Sequence, residues 1–356
     1  MPSDGFCFVS TWSGVHAVRT PQRPVCGSVG HAIPRHRLWR RRAGVLGTQA
    51  STVRSEGTVS VTAPRRQQGL IQHKREAFWF YRFLSLVYDT VVNPFHWTTE
   101  MRDASLRQAG LEEGRGRPDF KVLDVGGGTG FCTEGIVQYV SPSQVTLLDQ
   151  SPHQMQVAKR KPSLQGVTFV QGDAEALAFP TDSFDRVVSA GSIEYWPEPQ
   201  RGIAEAYRVL KPGGLATIIG PVRATNPVSR FFCDLWMLFP MEEEYREWFT
   251  RAGFTDLKVS YIGPPAYKGI RQHGLIMGLT ITGRKPAPGE AKIQLGPMRE
   301  RLDQSKPMSL GERLIFLARW ILGCIAGFYY FVLPFAIMLY AAIFIRDSKR
   351  ANKEAA

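Results

Sequence analysis

The chain has 356 residues, a formal net charge of +13 and a pI of about 9.7. This length accommodates one α/β domain of ordinary size with additional segments at its ends. Five cysteines are scattered at positions 7, 26, 132, 233 and 324, without the spacing of a disulfide framework or a metal-binding motif. We therefore expect neither a disulfide nor a metal site.

The first 64 residues carry much of the positive charge. They contain eight arginines and no lysine, against only two acidic residues, Asp4 and Glu56. They also lack the long apolar core of a secretory signal. Residues 1–64 are therefore predicted to be a disordered organellar transit peptide. The alternative is a basic tail that binds nucleic acid. Since no folded nucleic-acid-binding module follows, we expect no such partner.

Residues 65–117 are predicted to form unusually aromatic N-terminal helices, with a break at Asn93 and Pro94. Their aromatic side chains are Phe78, Trp79, Phe80, Tyr81, Phe83, Tyr88, Phe95, His96 and Trp97. One interpretation is that these helices simply pack on a sheet. The other is that they cover the active site and contact an apolar substrate or a membrane surface. The sequence is compatible with both.

The stretch Val122-Leu-Asp-Val-Gly-Gly-Gly-Thr-Gly130 predicts a short strand, a tight turn and the start of a helix. Such a unit opens a parallel α/β sheet. Glycines at Gly126, Gly128 and Gly130 allow positive φ angles and close approach of a ligand to the backbone. A dinucleotide fingerprint would place its third glycine one position further on. With Asp124 before the glycines, the stretch resembles the first motif of class I S-adenosylmethionine-dependent methyltransferases.

Acidic residues follow the next two predicted strands. Asp149 follows the strand 144–148, about 20 residues beyond the glycines, where a carboxylate can accept hydrogen bonds from both ribose hydroxyls. Asp173 follows the strand 167–171. The resemblance implies that Asp173 accepts from the adenine amino group and that the backbone N–H of Ala174 donates to an adenine ring nitrogen. The predicted cofactor-binding residues are Asp124, Gly126, Gly128, Gly130, Asp149, Gln150, Asp173, Ala174 and Ser189.

The remaining pattern completes one domain over residues 118–285. Further strands are predicted at 184–189, 215–220, 258–262 and 275–284, and helices at 131–140, 231–239 and 242–252. The predicted fold class is α/β, a Rossmann-like class I methyltransferase fold with a seven-stranded, mostly parallel sheet whose last strand is antiparallel. S-adenosyl-L-methionine is the expected cofactor.

The C-terminal part divides into three predicted segments. Residues 286–313 are rich in proline and charge and are predicted to be a linker. Residues 314–346 follow as a predicted transmembrane anchor, because no charge interrupts the run from Trp320 to Ile345, which is long enough to span a bilayer. Residues 347–356 form a basic tail.

Several segments carry a closer resemblance. The core is similar to the ubiquinone/menaquinone C-methyltransferases. The segments 78–85, 91–100, 242–249 and 271–278 resemble the plastid inner-envelope methyltransferases of 2-methyl-6-phytyl- and 2-methyl-6-solanesyl-1,4-benzoquinol. This resemblance covers roughly residues 74–350. It implies C-methylation of a prenylated benzoquinol in tocopherol and plastoquinone biosynthesis, by a single-pass protein of the chloroplast inner envelope.

Methylation of a quinol ring carbon benefits from a base that takes a proton from the ring hydroxyl. Glu194, just past the fourth strand, and His273, in a late loop, are the candidate bases. Tyr267 and Tyr195 are candidates to orient the ring oxygens. Two alternatives remain: a methyltransferase for another lipophilic acceptor, such as a sterol or a different prenylquinol, and a non-catalytic envelope binding protein.

Overall fold

The computed structural model describes residues 69–84, 98–262, 277–300 and 308–340. The predicted transit peptide, the end of the predicted anchor and the tail 347–356 lie outside these residues. Two of the candidate catalytic residues, Tyr267 and His273, lie outside them as well.

The strands of the described residues form one mixed sheet. In chain order they are β1 (Val122–Val125), β2 (Val145–Asp149), β3 (Thr168–Gln171), β4 (Phe184–Ala190), β5 (Leu210–Val222), β6 (Thr255–Ile262) and β7 (Met277–Arg284). Their order in the sheet is β3-β2-β1-β4-β5-β7-β6, and β7 runs antiparallel to both of its neighbours. The other neighbours pair in parallel. The predicted class I fold with its seven-stranded sheet is confirmed.

Helices cover both faces of this sheet. They are α1 (Lys74–Leu84), α2 (Thr99–Leu106), α3 (Phe131–Ile136), α4 (Pro152–Lys159), α5 (Pro199–Val209), α6 (Pro227–Trp236), α7 (Glu242–Ala252) and α8 (Leu310–Tyr340). Successive strand residues point to opposite faces: Val122 packs in a buried cluster with α2, α3 and α4, and Leu123 in a cluster with α5 and α7. Burial on both faces explains why the central strands are apolar throughout.

The strand order places a crevice at one edge of the sheet. From β1, the chain continues to β2 and β3 on one side and then returns to β4 on the other. Open α/β sheets bind ligands at such a reversal, beyond the carboxyl ends of the strands.

A local cap and a tertiary contact set the bounds of α6, which differ from the predicted 231–239. The helix begins earlier because the side chain of Asn226 accepts hydrogen bonds from the backbone of its first turn. It ends at Trp236, where the carbonyls of Leu235 and Trp236 accept hydrogen bonds from the backbone of residues 70 and 71. Likewise α3 ends before the predicted residue 140, and β5 begins before 215.

Residues 286–300, the first half of the predicted linker, form a strap bound to the domain. The buried ammonium of Lys285 lies 2.5 Å from Asp182 Oδ1 and 2.7 Å from the carbonyl of Gly289. Further along, the backbone N–H of Arg299 donates to Glu198 at 2.8 Å. The strap therefore returns along α5, although it contains no helix or strand.

The long helix α8 begins inside the predicted linker and packs on α6. The rings of Phe232 and Tyr329 stack with centroids 4.4 Å apart, and the Tyr329 and Ser229 hydroxyls lie 2.8 Å from each other. α8 also contacts the residues before α1: a Cβ atom at Gly323 would lie 2.5 Å from Ile71 Cδ1, so the Ile71 side chain would have to move to accommodate it.

The prediction for residues 314–346 combined a C-terminal helix with a membrane crossing. The structure contains the helix as far as Tyr340. In the part of the chain that the structure describes, no helix is long and apolar enough to cross a bilayer. The crossing is therefore not supported by the structure, in which α8 uses one of its faces to pack on α6.

Candidate active site

A pocket opens where β1, β2, β3 and β4 end, at the reversal of strand order. The loop after each of these strands contributes to its lining, and α1 and α2 add side chains from outside the sheet. Its lining includes Lys74, Tyr81, Arg102, Gly126, Gly128, Asp149, Gln150, Gln154, Asp173, Ala174, Glu175, Ser192 and Tyr195.

The glycine-rich loop after β1 runs through the left-handed backbone region. The φ angles of Gly126 and Gly128 are 70° and 55°, which residues with a side chain rarely adopt. A Cβ atom on Gly126 would lie 2.1 Å from Ser192 Oγ, and one on Gly128 would lie 2.3 Å from Gln154 Oε1. Both glycines line the pocket, whereas Gly130 lies behind it at the start of α3.

Asp149 ends β2 and holds the glycine-rich loop. Its Oδ2 accepts a hydrogen bond from the backbone N–H of Gly128 at 2.9 Å, and its Oδ1 accepts one from Ser151 at 2.7 Å. Burial raises the pKa of Asp149 to about 6, and the two hydrogen bonds limit that rise. A carboxylate has about four lone-pair sites, so Asp149 can also accept hydrogen bonds from ligand hydroxyls. Gln150 lines the pocket beside it.

Asp124 and Ser189 lie beneath the pocket rather than in its lining. Asp124 is fully buried, and its Oδ2 accepts a hydrogen bond from the Thr133 hydroxyl at 2.6 Å. Burial raises the pKa of Asp124 to about 7, partly offset by the Thr133 hydrogen bond and increased by the charge of Asp149. Among the described residues, Asp124 Oδ1 and Ser189 Oγ have no hydrogen-bond partner. Each of these two atoms can therefore still form a hydrogen bond.

Three charged side chains, which we call the ion cluster, meet beyond the end of β3. Lys74 Nζ lies 2.5 Å from Asp173 Oδ2 and 2.9 Å from Glu175 Oε2. The Glu175 side chain is only 1% exposed, and its Oε1 accepts from the backbone N–H of Glu198 at 2.5 Å. Burial raises the pKa of Glu175, and the ion pair with Lys74 opposes that shift. All three cluster residues line the pocket, as does Ala174.

Glu194 is a buried carboxyl group behind the pocket. It lies in a short 3₁₀ turn after β4, is 3% exposed and does not belong to the lining. Its Oε2 has no hydrogen-bond partner in the described part of the chain. Burial raises the pKa of Glu194 to about 8. Its neighbour Tyr195 does line the pocket and contacts the ring of Tyr81, with centroids 4.7 Å apart.

The N-terminal helices both cover the pocket and pack against the domain. On α1, Lys74 and Tyr81 line the pocket, while Phe80 packs against Trp236 of α6. On α2, Arg102 lines the pocket and donates to the carbonyl of Phe131 at 3.1 Å. Packing against the domain and cover of the pocket thus occur together, whereas contact of these helices with an apolar substrate or a membrane surface stays a prediction. The segment between the two helices, which includes Phe95 and Trp97, lies outside the described residues.

Sequence reasoning missed several pocket residues. Lys74, Arg102 and Gln154 were not singled out, because a single charged or amide residue on a predicted helix is usually exposed. Glu175 stood next to the predicted site residues Asp173 and Ala174 without a role. Lys74 at the start of α1 and Arg102 within α2 carry no local signal that they face a pocket, so only the structure shows it.

The pocket suits the expected cofactor. Adenosine needs acceptors for its ribose hydroxyls and amino group, and Asp149 and Asp173 line the same pocket. An amino-acid group with both charges can meet Arg102 and the polar atoms of the glycine-rich loop. Carboxylates around a pocket also favour a ligand that carries a positive sulfonium. The residues present therefore fit S-adenosylmethionine, with Asp149 and Asp173 at the adenosine end.

Comparisons with known proteins agree with the fold and the pocket. A family model described as "Methyltransferase domain" matches residues 123–218. The "2-methyl-6-phytyl-1,4-hydroquinone methyltransferase 1, chloroplastic" of Oryza sativa subsp. japonica is 53% identical, over 86% of this chain and 90% of that protein. The second rice protein of this name is 58% identical, over 76% and 75%. The Arabidopsis thaliana protein is 52% identical, over 90% and 94%.

Gly128→Ala should damage the site more than an equally strained glycine elsewhere. Alanine at φ 55° is strained by about 1–2 kcal/mol, and its Cβ would collide with Gln154. We expect at least a tenfold loss of affinity for S-adenosylhomocysteine in calorimetric titration. The matched control is Gly116→Ala, because Gly116 has φ 72° and open space around it. Equal affinities of the two variants would contradict this role of the loop.

Glu194→Gln should stabilise the protein increasingly as pH rises. The pKa of about 8 in the folded protein exceeds the ordinary value of 4.5. Between these values the folded state holds the extra proton, so the free energy of unfolding falls as pH rises. The variant has no titratable group at this position. Its free energy of unfolding, relative to that of the parent, should therefore increase from pH 5 to 8, by at most about 1.4 kcal/mol per pH unit. Urea unfolding at several pH values measures this.

The control for that series is Glu243→Gln, which removes an exposed carboxyl on α7. Any pH dependence that both variants share is not specific to Glu194. A Glu194→Gln difference that is constant between pH 5 and 8 would show that Glu194 is not desolvated as the structure indicates.

Proposed function

The chain belongs to the 2-methyl-6-phytyl-1,4-hydroquinone methyltransferase family, and from this premise we propose that it methylates a ring carbon of that prenylated hydroquinone. It is an S-adenosylmethionine-dependent C-methyltransferase. The proposed substrate is supported by sequence similarity over most of the chain: the rice protein is 53% identical, and the match covers 90% of its length. The role in tocopherol biosynthesis follows from the substrate. Use of the solanesyl homologue, and so a role in plastoquinone biosynthesis, is part of the same proposal.

The proposed cofactor placement follows the pocket lining. Asp149 accepts hydrogen bonds from the ribose hydroxyls, and Asp173 accepts one from the adenine amino group, beside the backbone N–H of Ala174. Gly126 and Gly128 allow the ligand to approach the backbone, while Gln150 flanks the ribose. Asp124, Gly130 and Ser189 support the loop and the strand ends from behind the lining.

S-adenosylmethionine supplies an electrophilic methyl group when it is bound. The protein then has to hold an aromatic ring in line with that methyl group. A ring carbon ortho to a hydroxyl becomes nucleophilic as the hydroxyl loses its proton. Bound S-adenosylmethionine would supply the methyl group to that carbon and would leave as S-adenosylhomocysteine. The proton on the ring carbon would pass to a base, and the oxygen would regain the proton that it lost, so that one proton is released overall.

We propose Glu194 as the base of this site and Tyr195 as the residue that orients the ring oxygens. Glu194 Oε2 has no hydrogen-bond partner among the residues that the structure describes, and a pKa of about 8 favours proton exchange near neutral pH. Glu194 itself is not in the lining, but its neighbour in sequence, Tyr195, is. His273 and Tyr267 remain further candidates in the segment outside the described residues.

The substrate proposal is tested with purified protein, labelled S-adenosylmethionine and a panel of acceptors. The 2-methyl-6-phytyl- and 2-methyl-6-solanesyl-1,4-benzoquinols should gain a ring methyl group, identified by mass spectrometry and NMR. A sterol should remain unlabelled. Asp149→Asn, at saturating acceptor, is the control that should lower labelling. Methylation on oxygen, or labelling of the sterol alone, would contradict the proposal, and no turnover despite cofactor binding would indicate a binding protein.

We further propose that the protein works in the chloroplast, at the inner envelope membrane, and is held there by α8. The names of the relatives support the chloroplast. A row of exposed apolar side chains runs along α8: Leu314, Ile315, Leu317, Ile321, Leu322, Ile325, Phe328, Val332 and Leu339. Such a row on a soluble surface marks an interaction site. A single crossing of the bilayer rests on the sequence alone, on the uncharged run from Trp320 to Ile345.

The double variant Ile321→Glu/Ile325→Glu should release the protein from membranes. Both side chains are exposed on one face of α8, and a charge in hydrocarbon is strongly unfavourable. Flotation with phosphatidylcholine vesicles measures the loss. The control is Arg246→Glu/Thr250→Glu, at the same spacing on the exposed side of α7. If alkaline carbonate removes the parent protein from envelope membranes, the proposed crossing is wrong. If the double variant floats with vesicles as the parent does, the proposed role of α8 is wrong.

A further inference from the structure

Lys74 connects α1 to the cofactor pocket. It is the first residue of α1, and its side chain is 5% exposed between the carboxylates of Asp173 and Glu175. Of these two acids, Asp173 is 30% exposed and Glu175 is 1% exposed. One ammonium group therefore neutralises a buried acid and contacts a pocket-facing one.

The position of Lys74 is set by a residue that is distant in sequence. Glu300, in the strap, accepts a hydrogen bond from the Lys74 backbone N–H at 3.1 Å and lies 2.5 Å from His73 Nδ1. A carboxylate at the start of a helix satisfies a free N–H group and is favoured by the helix dipole. On the other side of α1, Glu76 pairs with Arg319 of α8 at 3.5 Å. The strap and α8 thus hold α1 over the pocket.

The geometry of Asp173 leaves it able to bind a ligand while it contacts Lys74. Its Oδ1 accepts from the backbone N–H of Glu175 at 3.0 Å, and its Oδ2 faces Lys74 Nζ. Each oxygen keeps a second lone pair. With both oxygens engaged, the carboxylate cannot rotate freely, so the remaining lone pairs point in fixed directions.

We propose that Lys74 is a positioning residue for the cofactor, which fixes the Asp173 carboxylate for the adenosine group and keeps α1 closed over the pocket. This inference rests on the proposed placement of the adenosine at Asp173. It goes beyond that placement because it makes cofactor affinity depend on α1, on the strap and, through Glu76, on α8.

A purely structural role is the competing explanation. Without Lys74, Glu175 would be a buried carboxylate with no cation, which destabilises a fold strongly. A single substitution of Lys74 therefore cannot separate the two roles, because it changes folding and binding together. Removing the Glu175 charge at the same time separates them.

The experiment uses the full chain in detergent, with S-adenosylhomocysteine titrated by calorimetry and stability measured by urea unfolding. Lys74→Met/Glu175→Gln should regain most of the stability lost in Lys74→Met, because no buried carboxylate is left unpaired. It should still bind S-adenosylhomocysteine about tenfold more weakly than the parent, as expected for a lost charge-assisted contact. Glu175→Gln alone keeps Lys74 against Asp173, so it should bind S-adenosylhomocysteine more tightly than the double variant does. 5′-Methylthioadenosine, which lacks the amino-acid group, should show the same loss.

If the affinity of the double variant lies within twofold of that of the parent, the proposal is overturned. Lys74 would then serve only as the counter-charge of Glu175. Asp173→Asn separates this failure from a failure of the proposed cofactor placement. If Asp173→Asn also binds like the parent, the placement of the adenosine is wrong. If Asp173→Asn weakens binding while the double variant does not, only the inference about Lys74 is wrong.

A second variant tests the position of Lys74 without changing any residue of the ion cluster. Glu300→Gln removes the carboxylate charge that holds the start of α1, so binding should weaken about threefold, in line with a contact worth less than 1 kcal/mol. Glu243→Gln is the matched control, because it removes an exposed carboxyl remote from α1. Glu300→Gln with parent affinity would overturn the part of the proposal that assigns the strap a role.

Discussion

The two hydrogen bonds from backbone N–H groups to the Asp149 carboxylate are the interaction on which the site depends. Gly128 belongs to the loop after β1, Ser151 precedes α4, and Asp149 ends β2. One buried side chain thus joins the loop after β1 to the end of β2 and to the residue before α4. Hydrogen bonds to a charged acceptor are stronger than neutral ones, so the carboxylate offsets part of its own desolvation while it shapes the pocket.

Buried carboxyl groups determine the electrostatic character of this edge of the sheet. Burial raises the pKa values of Asp124, Asp149, Glu175 and Glu194. A positively charged ligand reduces the cost of such a set, whereas a neutral one does not. Of these four groups, Asp149 and Glu175 line the pocket, which favours a ligand with a positively charged sulfonium. Lys74 and Arg102 limit the excess of negative charge at either end of the lining.

The cover of the pocket is assembled from parts of the chain that are far apart. Lys74 meets Asp173 across 99 residues and Glu300 across 226. α8 adds its own contacts, by Arg319 to α1 and by Tyr329 to α6. The helix proposed to meet the membrane is therefore in direct contact with the helix that covers the cofactor.

The sequence by itself determined the strand–turn–helix units, the fold class and the acids that end β2 and follow β3, because these depend on local periodicity, glycine conformation and short spacing. It did not reveal that Glu194 lies behind the lining or that Lys74, Arg102 and Glu175 line the pocket. It also did not show that the strap caps α1, or that α8 packs on α6 over part of its surface. Only the tertiary structure decided these points. Ion pairs and helix contacts between residues a hundred or more positions apart leave no periodic signal in either segment, and burial of a charge depends on what folds over it.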